Sequence, residues 1–329
     1  MSYKVGMFEK SYEHIGQRLD ALGLDIEVTT FDRDGRFAIG GKRMTADEVD
    51  IDYLWLSSHI NSDGFRDAAF KTVLACRSVG VLQTFNAGLD HPFYKALSDK
   101  GTRICNSSAQ GVAIAEYVMA QVLAVMQPIA EQRALQAAKR WKSTPFREIS
   151  ETRWLIVGFG PIGQEIAKRV TAFGASTTVI RRSPQSSDCV DTVGTMADLQ
   201  RLLPAADIVV LACALNEQTR GFAGAEFFGA VKPGAILVNV ARGGLIDDTA
   251  LLVALNSGRV ATAILDVFRQ EPLAIENPLW THKSVRMTSH TSFFGSGVRA
   301  RWDRLFLDNI SRFASGQPLA GLVNPKDVG

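Results

Sequence analysis

The stretch WLIVGFGPIGQEIAKRVTAFG, residues 154–174, identifies the fold class of this 329-residue chain. It runs from a buried-strand pattern through G-x-G-x-x-G into an amphipathic helical pattern. The first glycine of such a loop allows a tight turn, the second lets the backbone approach a pyrophosphate, and the third lets helix and strand pack closely. The helix N-terminus then presents unpaired N–H groups to the phosphates. The stretch therefore predicts a dinucleotide site formed by Gly158, Phe159, Gly160, Pro161, Ile162 and Gly163.

Short apolar runs alternate with helical patterns on both sides of this loop. Strand-like runs include YKVGMF at 3–8 and AILVNVARGG at 235–244, and helical patterns include 11–23 and 63–80, each ending on a glycine. Such alternation predicts βαβ units and mainly parallel sheets. A long helical pattern at about 109–126 separates two α/β lobes. A polar, less periodic stretch follows it, and the last helical pattern, at 298–319, carries an apolar stripe.

Charge, the N-terminal sequence and cysteine spacing argue against a nucleic-acid-binding, membrane, secreted or metal-binding protein. A formal net charge of +2 gives no electrostatic reason to expect nucleic acid or membrane as a partner. The first ten residues contain no apolar run, so we expect no signal peptide and a cytoplasmic protein. The four cysteines lack C-x-x-C spacing, so we expect buried, reduced thiols and no metal site at Cys76, Cys105, Cys189 and Cys213.

Two arginines stand where many dinucleotide sites carry an acid. In the NAD-type pattern an Asp or Glu, about 20 residues after the glycines, bonds the ribose 2′-hydroxyl. Here the second strand, STTVI, is followed by Arg181, Arg182 and Ser183. Guanidinium groups pair with phosphate oxygens, and the missing acid removes a charge that would repel a 2′-phosphate. The sequence therefore favours NADP(H), with NAD(H) possible; two solvated surface arginines are the alternative.

Candidate catalytic residues follow strand-like runs in the second half of the chain. Arg242 and His290 each come after such a run, and Glu271 follows one closely. In an open α/β sheet the carboxyl ends of the strands line the ligand crevice. These three side chains are therefore expected to converge beside the nicotinamide.

Several motifs in order resemble the D-2-hydroxyacid dehydrogenase family, and the resemblance covers essentially the whole chain. They are NAGLD at 86–90, AEYVMA at 115–120, the glycine loop, NVARGGLID at 239–247 and LDVF…EPL at 265–273. The resemblance implies an α/β fold with two Rossmann-like domains. A flavodoxin-like substrate domain would comprise 1–103 plus 291–329, and a doubly wound NAD(P)-binding domain 104–290. It also implies a homodimer built around the nucleotide domain and its long helix.

The resemblance also assigns roles to individual residues. Arg242 would clamp the substrate carboxylate and polarise its carbonyl group. His290 would be the general acid when a 2-oxo acid is reduced, and Glu271 would hydrogen-bond His290 and favour its charged form. Backbone N–H groups of Asn86, Ala87 and Gly88 would take the substrate carboxylate, with Arg242 and His290. Further cofactor contacts are expected at Cys213, Ala214, Val240, Ala241, Arg242, Asp266 and His290.

These observations predict NADPH-preferring reduction of a small 2-oxo acid, of the glyoxylate/hydroxypyruvate type, to the D-2-hydroxy acid. Alternatives are phosphoglycerate or phosphite dehydrogenase, or a non-catalytic dinucleotide-sensing protein. The complete Arg–Glu–His set argues against the last of these, and Glu271 argues against formate dehydrogenase. After His290, Phe293 and Phe294 have three open interpretations. They narrow the pocket, form an aromatic wall for a larger acid, or pack under the C-terminal helix.

Overall fold

The computed structural model describes residues 2–40, 42–182, 185 and 187–328. They form two compact units, the first reaching to Ala109 and resuming at Ser296, the second spanning Gln110–Gly295. Both boundaries lie a few residues after the expected 103/104 and 290/291. The physical reason at the first boundary is that the strand Arg103–Cys105 pairs within the first unit's sheet. At the second, Thr291 and Ser292 are hydrogen-bonded to Asp266 within the second unit.

The first unit is an α/β unit with one sheet among its described residues. Its strands are β1 Tyr3–Phe8, β2 Ile26–Phe31, β3 Phe37–Ile39, β4 Lys42–Met44, β5 Asp50–Leu56, β6 Ser78–Thr84 and β7 Arg103–Cys105. Its helices are α1 Glu9–Asp20, α2 His59–Ser62, α3 Arg66–Ala75, α4 Pro92–Asp99 and α11 Val298–Ala314.

The order of strands in this sheet is β4-β3-β2-β1-β5-β6-β7. The parallel strands are β2, β1, β5, β6 and β7, and β3 and β4 form an antiparallel hairpin at one edge. The parallel part has the 2-1-3-4-5 order of flavodoxin-like folds. Apolar clusters cover both faces of the sheet, as a parallel sheet requires. The flavodoxin-like fold expected of the first lobe is therefore confirmed.

The C-terminal helix packs on the sheet of the first unit, as its apolar stripe predicts. Phe306 and Ile310 are fully buried, and the Phe306 ring stacks on Trp55 with centroids 4.2 Å apart. Burial of side chains of this size contributes about 1.5–3 kcal/mol each. The last turn of the expected pattern is not helical, because α11 ends at Ala314.

The prediction of a helix that runs to Gly80 is wrong. Helix α3 ends at Ala75, and residues 78–84 form β6, which pairs with β5. A Cβ atom at Gly80 would lie 2.7 Å from the carbonyl oxygen of Asp52. The glycine is needed because two strand backbones approach closely there. The sequence pattern attributes it instead to a helix C-terminus.

The second unit is built on a sheet that is parallel throughout its described residues. Its strands are β8 Arg153–Val157, β9 Ser176–Ile180, β10 Thr192–Gly194, β11 Ile208–Leu211, β12 Ala235–Asn239, β13 Val260–Leu265 and β14 Val285–Met287. Its helices are α5 Gly111–Met126, α6 Ile129–Ala137, α7 Pro161–Ala172, α8 Leu199–Leu202, α9 Ala225–Ala230 and α10 Asp248–Asn256. Helix α6 lies in the stretch that the sequence marks only as polar and less periodic.

The order of strands in the second sheet is β10-β9-β8-β11-β12-β13-β14. This is the doubly wound order, with its reversal between β8 and β11. All four residues of β11 and all five of β12 are buried, and apolar clusters cover both faces. The ligand crevice of such a sheet lies outside the carboxyl ends of its strands, at the reversal. The doubly wound fold expected of the middle of the chain is confirmed.

The long helix of this unit is a core helix. Val118 and Val122 of α5 are fully buried. Among the described residues no single helix has both the length and the apolar character needed to cross a bilayer. Helices α5 and α6, bent by 57°, meet that test only when they are taken together.

Candidate active site

The glycine loop after β8 is shaped by two close approaches of backbone to backbone. Gly158 has φ +108°, and a Cβ there would lie 2.5 Å from the carbonyl oxygen of Ala212, just after β11. A Cβ at Gly163 would lie 2.1 Å from the carbonyl oxygen of Gly158. Both positions therefore require glycine. A Cβ at Gly160, by contrast, meets nothing within 4 Å, so this glycine leaves open space above the loop.

The loop leads into the N-terminus of a twelve-residue helix. Gly160 is the N-cap of α7 and Pro161 is its first residue, where a missing N–H costs no hydrogen bond. The first-turn N–H groups of a helix and its positive dipole end attract phosphate. The open space at Gly160 together with this helix end fits the pyrophosphate of a dinucleotide. Phe159 and Ile162 are half-buried beside it.

Residues after β11 lie against this loop. The amide nitrogen of Cys213 would be 2.6 Å from a Cβ at Gly158. Burial raises the pKa of the Cys213 thiol to about 11, so the side chain is a neutral thiol at physiological pH. Ala214, next in the chain, accepts a hydrogen bond from the Thr219 hydroxyl at 2.8 Å. Of the two predicted cofactor residues at this strand end, Cys213 adjoins the glycine loop, and a cofactor contact of Ala214 stays a prediction.

Arg181 lies beside the glycine loop. It follows β9 directly, and its guanidinium carbon is 5.7 Å from the centre of the Phe159 ring. A cation at this distance from a ring is attracted to its face. Arg182 is exposed, and Ser183 lies outside the described residues. The position of Arg181 is thus tied to the loop, as a ribose-phosphate ligand at this strand end requires.

The candidate catalytic residues follow three neighbouring strands that end at the same level. Asn239 of β12 is opposite Leu265 of β13, which is opposite Met287 of β14. Adjacent strands lie about 4.8 Å apart. Arg242, Glu271 and His290 each come a few residues after one of these ends. The sheet therefore brings the three chain segments to one edge.

Glu271 and His290 are directly hydrogen-bonded. The His290 Nδ1 lies 2.7 Å from Oε2 of Glu271, and Oε1 of the same carboxylate accepts the N–H of Phe268 at 2.8 Å. A carboxylate only accepts, so Nδ1 carries the proton that it shares with Glu271. Nε2 is then the ring nitrogen on the side away from Glu271. Both side chains are more than a third exposed, so the pair is accessible from solvent.

The segment that carries Arg242 is held by its neighbours. The buried Asn239 side chain donates to the carbonyl oxygen of Arg242 at 2.9 Å and accepts the N–H of Ala241 at 3.1 Å. Val240 and Ala241 are buried, and Arg242 itself is half-buried. The Arg242 guanidinium donates to the carbonyl oxygen of Ala241 at 2.8 Å. The asparagine thus fixes the turn from which the arginine extends.

The Arg242 segment also packs tightly on the Glu271 segment. A Cβ at Gly243 would lie 1.9 Å from the carbonyl carbon of Phe268, so the two backbones touch. The Arg269 guanidinium donates twice to the carbonyl oxygen of Ile246, at 2.8 and 2.7 Å. These contacts fix the distance between the predicted carboxylate clamp and the predicted partner of His290.

Asp266 lies beneath the histidine and is fully buried. Its carboxylate accepts the N–H groups of Thr291 at 2.8 Å and Ser292 at 3.0 Å, and the hydroxyl of Thr288 at 2.6 Å. Its carbonyl oxygen accepts the N–H of His290 at 2.7 Å. The observed role of the Asp266 carboxylate is thus to hold the loop that carries His290. A contact of Asp266 with the cofactor stays a prediction.

The predicted substrate loop lies in the first unit and is pinned from within that unit. The N–H of Asn86 donates to the Thr84 hydroxyl at 3.2 Å, and its side-chain amide donates to the Tyr94 hydroxyl at 2.6 Å. The carbonyl oxygen of Ala87 accepts the Asn106 amide at 2.9 Å. The Asn86 N–H is therefore used inside the protein, and those of Ala87 and Gly88 stay the predicted carboxylate ligands.

Among the described residues no group of three or more His, Cys, Asp or Glu side chains is placed to hold a metal ion. All four cysteines are free thiols. The expectation that all are buried is wrong for Cys189 and Cys213, which are only partly buried. Cys213 adjoins the glycine loop, which is open to solvent at Gly160.

Comparison with known proteins identifies the family. The family model described as D-isomer specific 2-hydroxyacid dehydrogenase, NAD binding domain, matches residues 119–292, which is more than half of the chain. The chain belongs to this family. The predicted enzyme class, an NAD(P)-dependent D-2-hydroxyacid dehydrogenase or 2-oxo acid reductase, is confirmed.

Relatives and solved structures extend the similarity beyond the matched domain. Glyoxylate/hydroxypyruvate reductase A of Klebsiella pneumoniae (strain 342) is 30% identical over 256 residues, which are 78% of this chain and 81% of the relative. D-3-phosphoglycerate dehydrogenase of Methanocaldococcus jannaschii is 30% identical over 254 residues, which are 75% of this chain but 48% of that relative. A solved D-isomer specific 2-hydroxyacid dehydrogenase from Xanthobacter autotrophicus Py2, in complex with NADPH and MES, is 25% identical. Its TM-score is 0.78, and 100% of each chain is covered.

Two aromatic rings follow the histidine of this dehydrogenase. The Phe293 ring packs edge-on against His290 with centroids 5.8 Å apart, and it contacts the apolar core of the second unit. Phe294 stacks on Phe293 at 4.2 Å and is 74% exposed. Phe293 thus supports the histidine ring, and Phe294 presents an apolar surface to solvent in the second unit.

Sequence reasoning missed five residues of the dehydrogenase that shape the site. Those with contacts described above are Asn239, Gly243, Arg269 and Thr288, and the fifth is Tyr117, whose hydroxyl lies 2.7 Å from the Thr288 hydroxyl. Asn239 and Gly243 are part of the NVARGGLID motif, and Tyr117 is the polar residue of AEYVMA after its glutamate. The signal was present in those motifs, but the hydrogen bond of Tyr117 with Thr288 and the contact of Gly243 with Phe268 join segments that are distant in the chain.

Substitution by alanine should have different effects at two of the three glycines of the loop. Gly163→Ala places a Cβ against the carbonyl oxygen of Gly158, so the free energy of unfolding should fall by about 1–3 kcal/mol. Gly160→Ala meets open space, so unfolding should change by less than about 0.5 kcal/mol. NADPH affinity of Gly160→Ala should nevertheless fall at least about tenfold, or about 1.4 kcal/mol. Urea unfolding measures the stability and NADPH fluorescence titration measures the affinity. Unchanged affinity in Gly160→Ala contradicts the assignment of the glycine loop and the N-terminus of α7 as the pyrophosphate site, which we call the cofactor cradle.

Proposed function

We propose that this dehydrogenase reduces a small 2-oxo acid of the glyoxylate/hydroxypyruvate type to the D-2-hydroxy acid, with NADPH as the preferred cofactor. The observation that carries the proposal is the 2.7 Å bond between Nδ1 of His290 and Glu271, at the strand edge that also bears Arg242. Relatives with the reductase name are 30% identical to the chain, which supports this substrate class. When bound, the cofactor supplies the hydride.

His290 is the general acid of the reaction. Glu271 accepts the proton on Nδ1 and stabilises the positively charged imidazolium, since an ionised acceptor strengthens the hydrogen bond. Nε2 then donates a proton to the 2-oxo oxygen as that oxygen becomes a hydroxyl. In the reverse direction the neutral ring accepts the same proton. The Phe268 N–H fixes the second oxygen of Glu271, so the carboxylate keeps its orientation during the transfer.

Arg242 holds the carboxylate of the substrate. A guanidinium group pairs with a carboxylate through two parallel N–H bonds, which fixes position and orientation together. Asn239 and the contact at Gly243 hold the arginine turn in place before substrate binds. Such preorganisation lowers the barrier, because less ordering is needed at the moment of reaction. Ala87 and Gly88 are assigned to substrate binding through their N–H groups, as the resemblance implies.

The preference for NADPH rests on Arg181. Its guanidinium is held over Phe159 of the glycine loop, at the strand end where an NAD-type site carries an acid. A 2′-phosphate gains charge-assisted hydrogen bonds from this group. A solved relative with 25% identity, in complex with NADPH, supports the same cofactor. Arg182 and Ser183 are assigned to the phosphate on sequence grounds.

Steady-state reduction of a panel of 2-oxo acids tests the proposal. Glyoxylate, hydroxypyruvate, pyruvate and phenylpyruvate are each offered with NADPH and with NADH, and the apolar surface of Phe294 is the reason to include the bulky acid. We expect turnover of the small acids with NADPH. His290→Ala should lose at least about 100-fold in kcat and still bind NADPH. No turnover of any acid, or near-normal turnover of His290→Ala, contradicts the proposal.

Charge reversal at the phosphate ligand should alter the choice of cofactor. Arg181→Asp loses charge-assisted hydrogen bonds and adds repulsion, so NADPH binding should weaken by about 1.5–3 kcal/mol, roughly 10- to 150-fold. NADH binding should change little, because NADH lacks the 2′-phosphate. Arg201→Asp makes the same charge change at an exposed arginine of α8 and serves as the control. Fluorescence titration with both cofactors decides, and an unchanged ratio of the two affinities refutes the 2′-phosphate assignment.

We also propose that the enzyme is a cytoplasmic homodimer that associates through its nucleotide-binding unit. Apolar side chains after the long helix support this, since Trp141 is fully exposed and Ile129 and Phe146 are about half exposed. Large exposed apolar patches mark sites of association with other proteins, and these three side chains lie in the segment that follows α5. Sedimentation should give a species of twice the chain mass, and Trp141→Ser should raise the dimer dissociation constant. A monomer at micromolar concentration contradicts the proposal.

A further inference from the structure

A chain of hydrogen bonds joins the long helix α5 to the loop that carries His290. The hydroxyl of Tyr117 lies 2.7 Å from the hydroxyl of Thr288, and Thr288 donates to Oδ1 of Asp266 at 2.6 Å. Tyr117 and Thr288 are 171 positions apart in the sequence. The chain therefore links two distant segments of the second unit at a point directly beneath the catalytic loop.

The direction of this chain is fixed by its last acceptor. Thr288 has one hydroxyl proton, and that proton is donated to the Asp266 carboxylate. Tyr117 must therefore be the donor to Thr288. Burial raises the pKa of the Tyr117 phenol, and the nearby Asp266 charge acts in the same direction, so the proton is retained at physiological pH. A hydroxyl that accepts a hydrogen bond becomes a stronger donor, so Tyr117 strengthens the bond from Thr288 to Asp266.

Asp266 transmits this contact to the histidine. Its carboxylate binds the N–H groups of Thr291 and Ser292, while its carbonyl oxygen binds the N–H of His290. His290 has φ +49°, a conformation that non-glycine residues adopt only when surrounding contacts impose it. The bonds to Asp266 on both sides of His290 supply that constraint. The orientation of the imidazole toward Glu271 therefore depends on where Asp266 is held.

Helix α5 also supports the cofactor loop. A Cβ at Gly111, the first residue of α5, would lie 3.1 Å from the carbonyl oxygen of Pro161, the first residue of α7. Further along, Glu116 forms an ion pair with Arg169 of α7 at 3.4 Å. The helix next to the dinucleotide cradle is thus the same helix that contacts the His290 loop. Helix α5 is therefore placed to set the position of the His290 loop relative to the cofactor cradle.

We propose that Tyr117 is a positioning residue for His290, acting through Thr288 and Asp266; that His290 is the proton donor rests on the function proposed above. Tyr117 does not touch the reacting groups. It fixes the Thr288 hydroxyl, which holds the Asp266 carboxylate, which imposes the left-handed conformation of His290. Loss of the phenol hydroxyl therefore loosens the catalytic loop while the cofactor cradle stays intact.

Steady-state kinetics of hydroxyl-deletion variants tests the proposal. Tyr117→Phe and Thr288→Val should each lower kcat, by roughly 10- to 100-fold, because misplacement of a catalytic group by a fraction of an ångström is costly. The KM of the 2-oxo acid and the NADPH dissociation constant should change less than about threefold. Thr288→Ser keeps the hydroxyl and should recover most of the turnover that Thr288→Val loses. Tyr12→Phe removes a phenol hydroxyl from the first unit and is the matched control.

The double variant separates a linked chain from two independent losses. If the two hydroxyls act in series, Tyr117→Phe combined with Thr288→Val should be no slower than Thr288→Val alone. Multiplicative losses in the double variant, or a kcat of Tyr117→Phe equal to that of the wild type, overturn the proposal. A general structural defect would instead lower NADPH affinity in step with kcat.

Amide hydrogen exchange tests the same inference without any substrate. Peptides that cover residues 288–292 should exchange faster in Tyr117→Phe than in the wild type, whereas peptides of α7 should be unchanged. Equal exchange at 288–292 overturns the proposal even if no 2-oxo acid is turned over. A wild-type enzyme that reduces none of the acids contradicts the proposed function alone, so the two failures are distinguishable.

Discussion

The placement of His290 depends on the hydrogen bonds that the buried carboxylate of Asp266 accepts. Buried ionised groups are retained only when hydrogen bonds satisfy them, and here three donors from 288, 291 and 292 do so. Those donors fix the loop that places His290 beside Glu271. Because Asp266 comes directly after β13, the sheet itself sets the level of the loop. The position of His290 beside Glu271 is thus a consequence of strand register.

The second constraint is close approach of backbones, which only glycine permits. Gly158 and Gly163 bring strand, helix and the β11 end together around the cofactor loop, and Gly243 brings the Arg242 turn onto the Glu271 segment. Close backbone contacts at glycines therefore shape both the cofactor cradle and the sheet edge that carries Arg242, Glu271 and His290. Arg181, which we propose as the ligand of a ribose 2′-phosphate, lies over Phe159 of the same loop.

Local patterns made much of this predictable from the sequence. The alternation of strands and helices predicted two α/β units, because that pattern depends on neighbouring residues. The topology of each unit was implied by the resemblance to the D-2-hydroxyacid dehydrogenase family. The prediction at Gly80 was wrong because a glycine in a strand and one at a helix end look alike in sequence without the partner strand. Tyr117 and Thr288 were missed for a related reason: their hydrogen bond joins segments 171 positions apart. The engagement of the Asn86 N–H by Thr84 likewise follows from three-dimensional contact.

The central claim is that Arg242, Glu271 and His290 act together on a 2-oxo acid beside the nicotinamide. A crystal structure of the enzyme with NADP⁺ and oxamate, an unreactive 2-oxo acid analogue, tests it most directly. The account predicts the oxamate carboxylate paired with the Arg242 guanidinium and its 2-oxo oxygen within hydrogen-bond distance of Nε2 of His290, about 2.6–3.2 Å. Oxamate bound away from His290, or a His290 ring that has left Glu271, would contradict it.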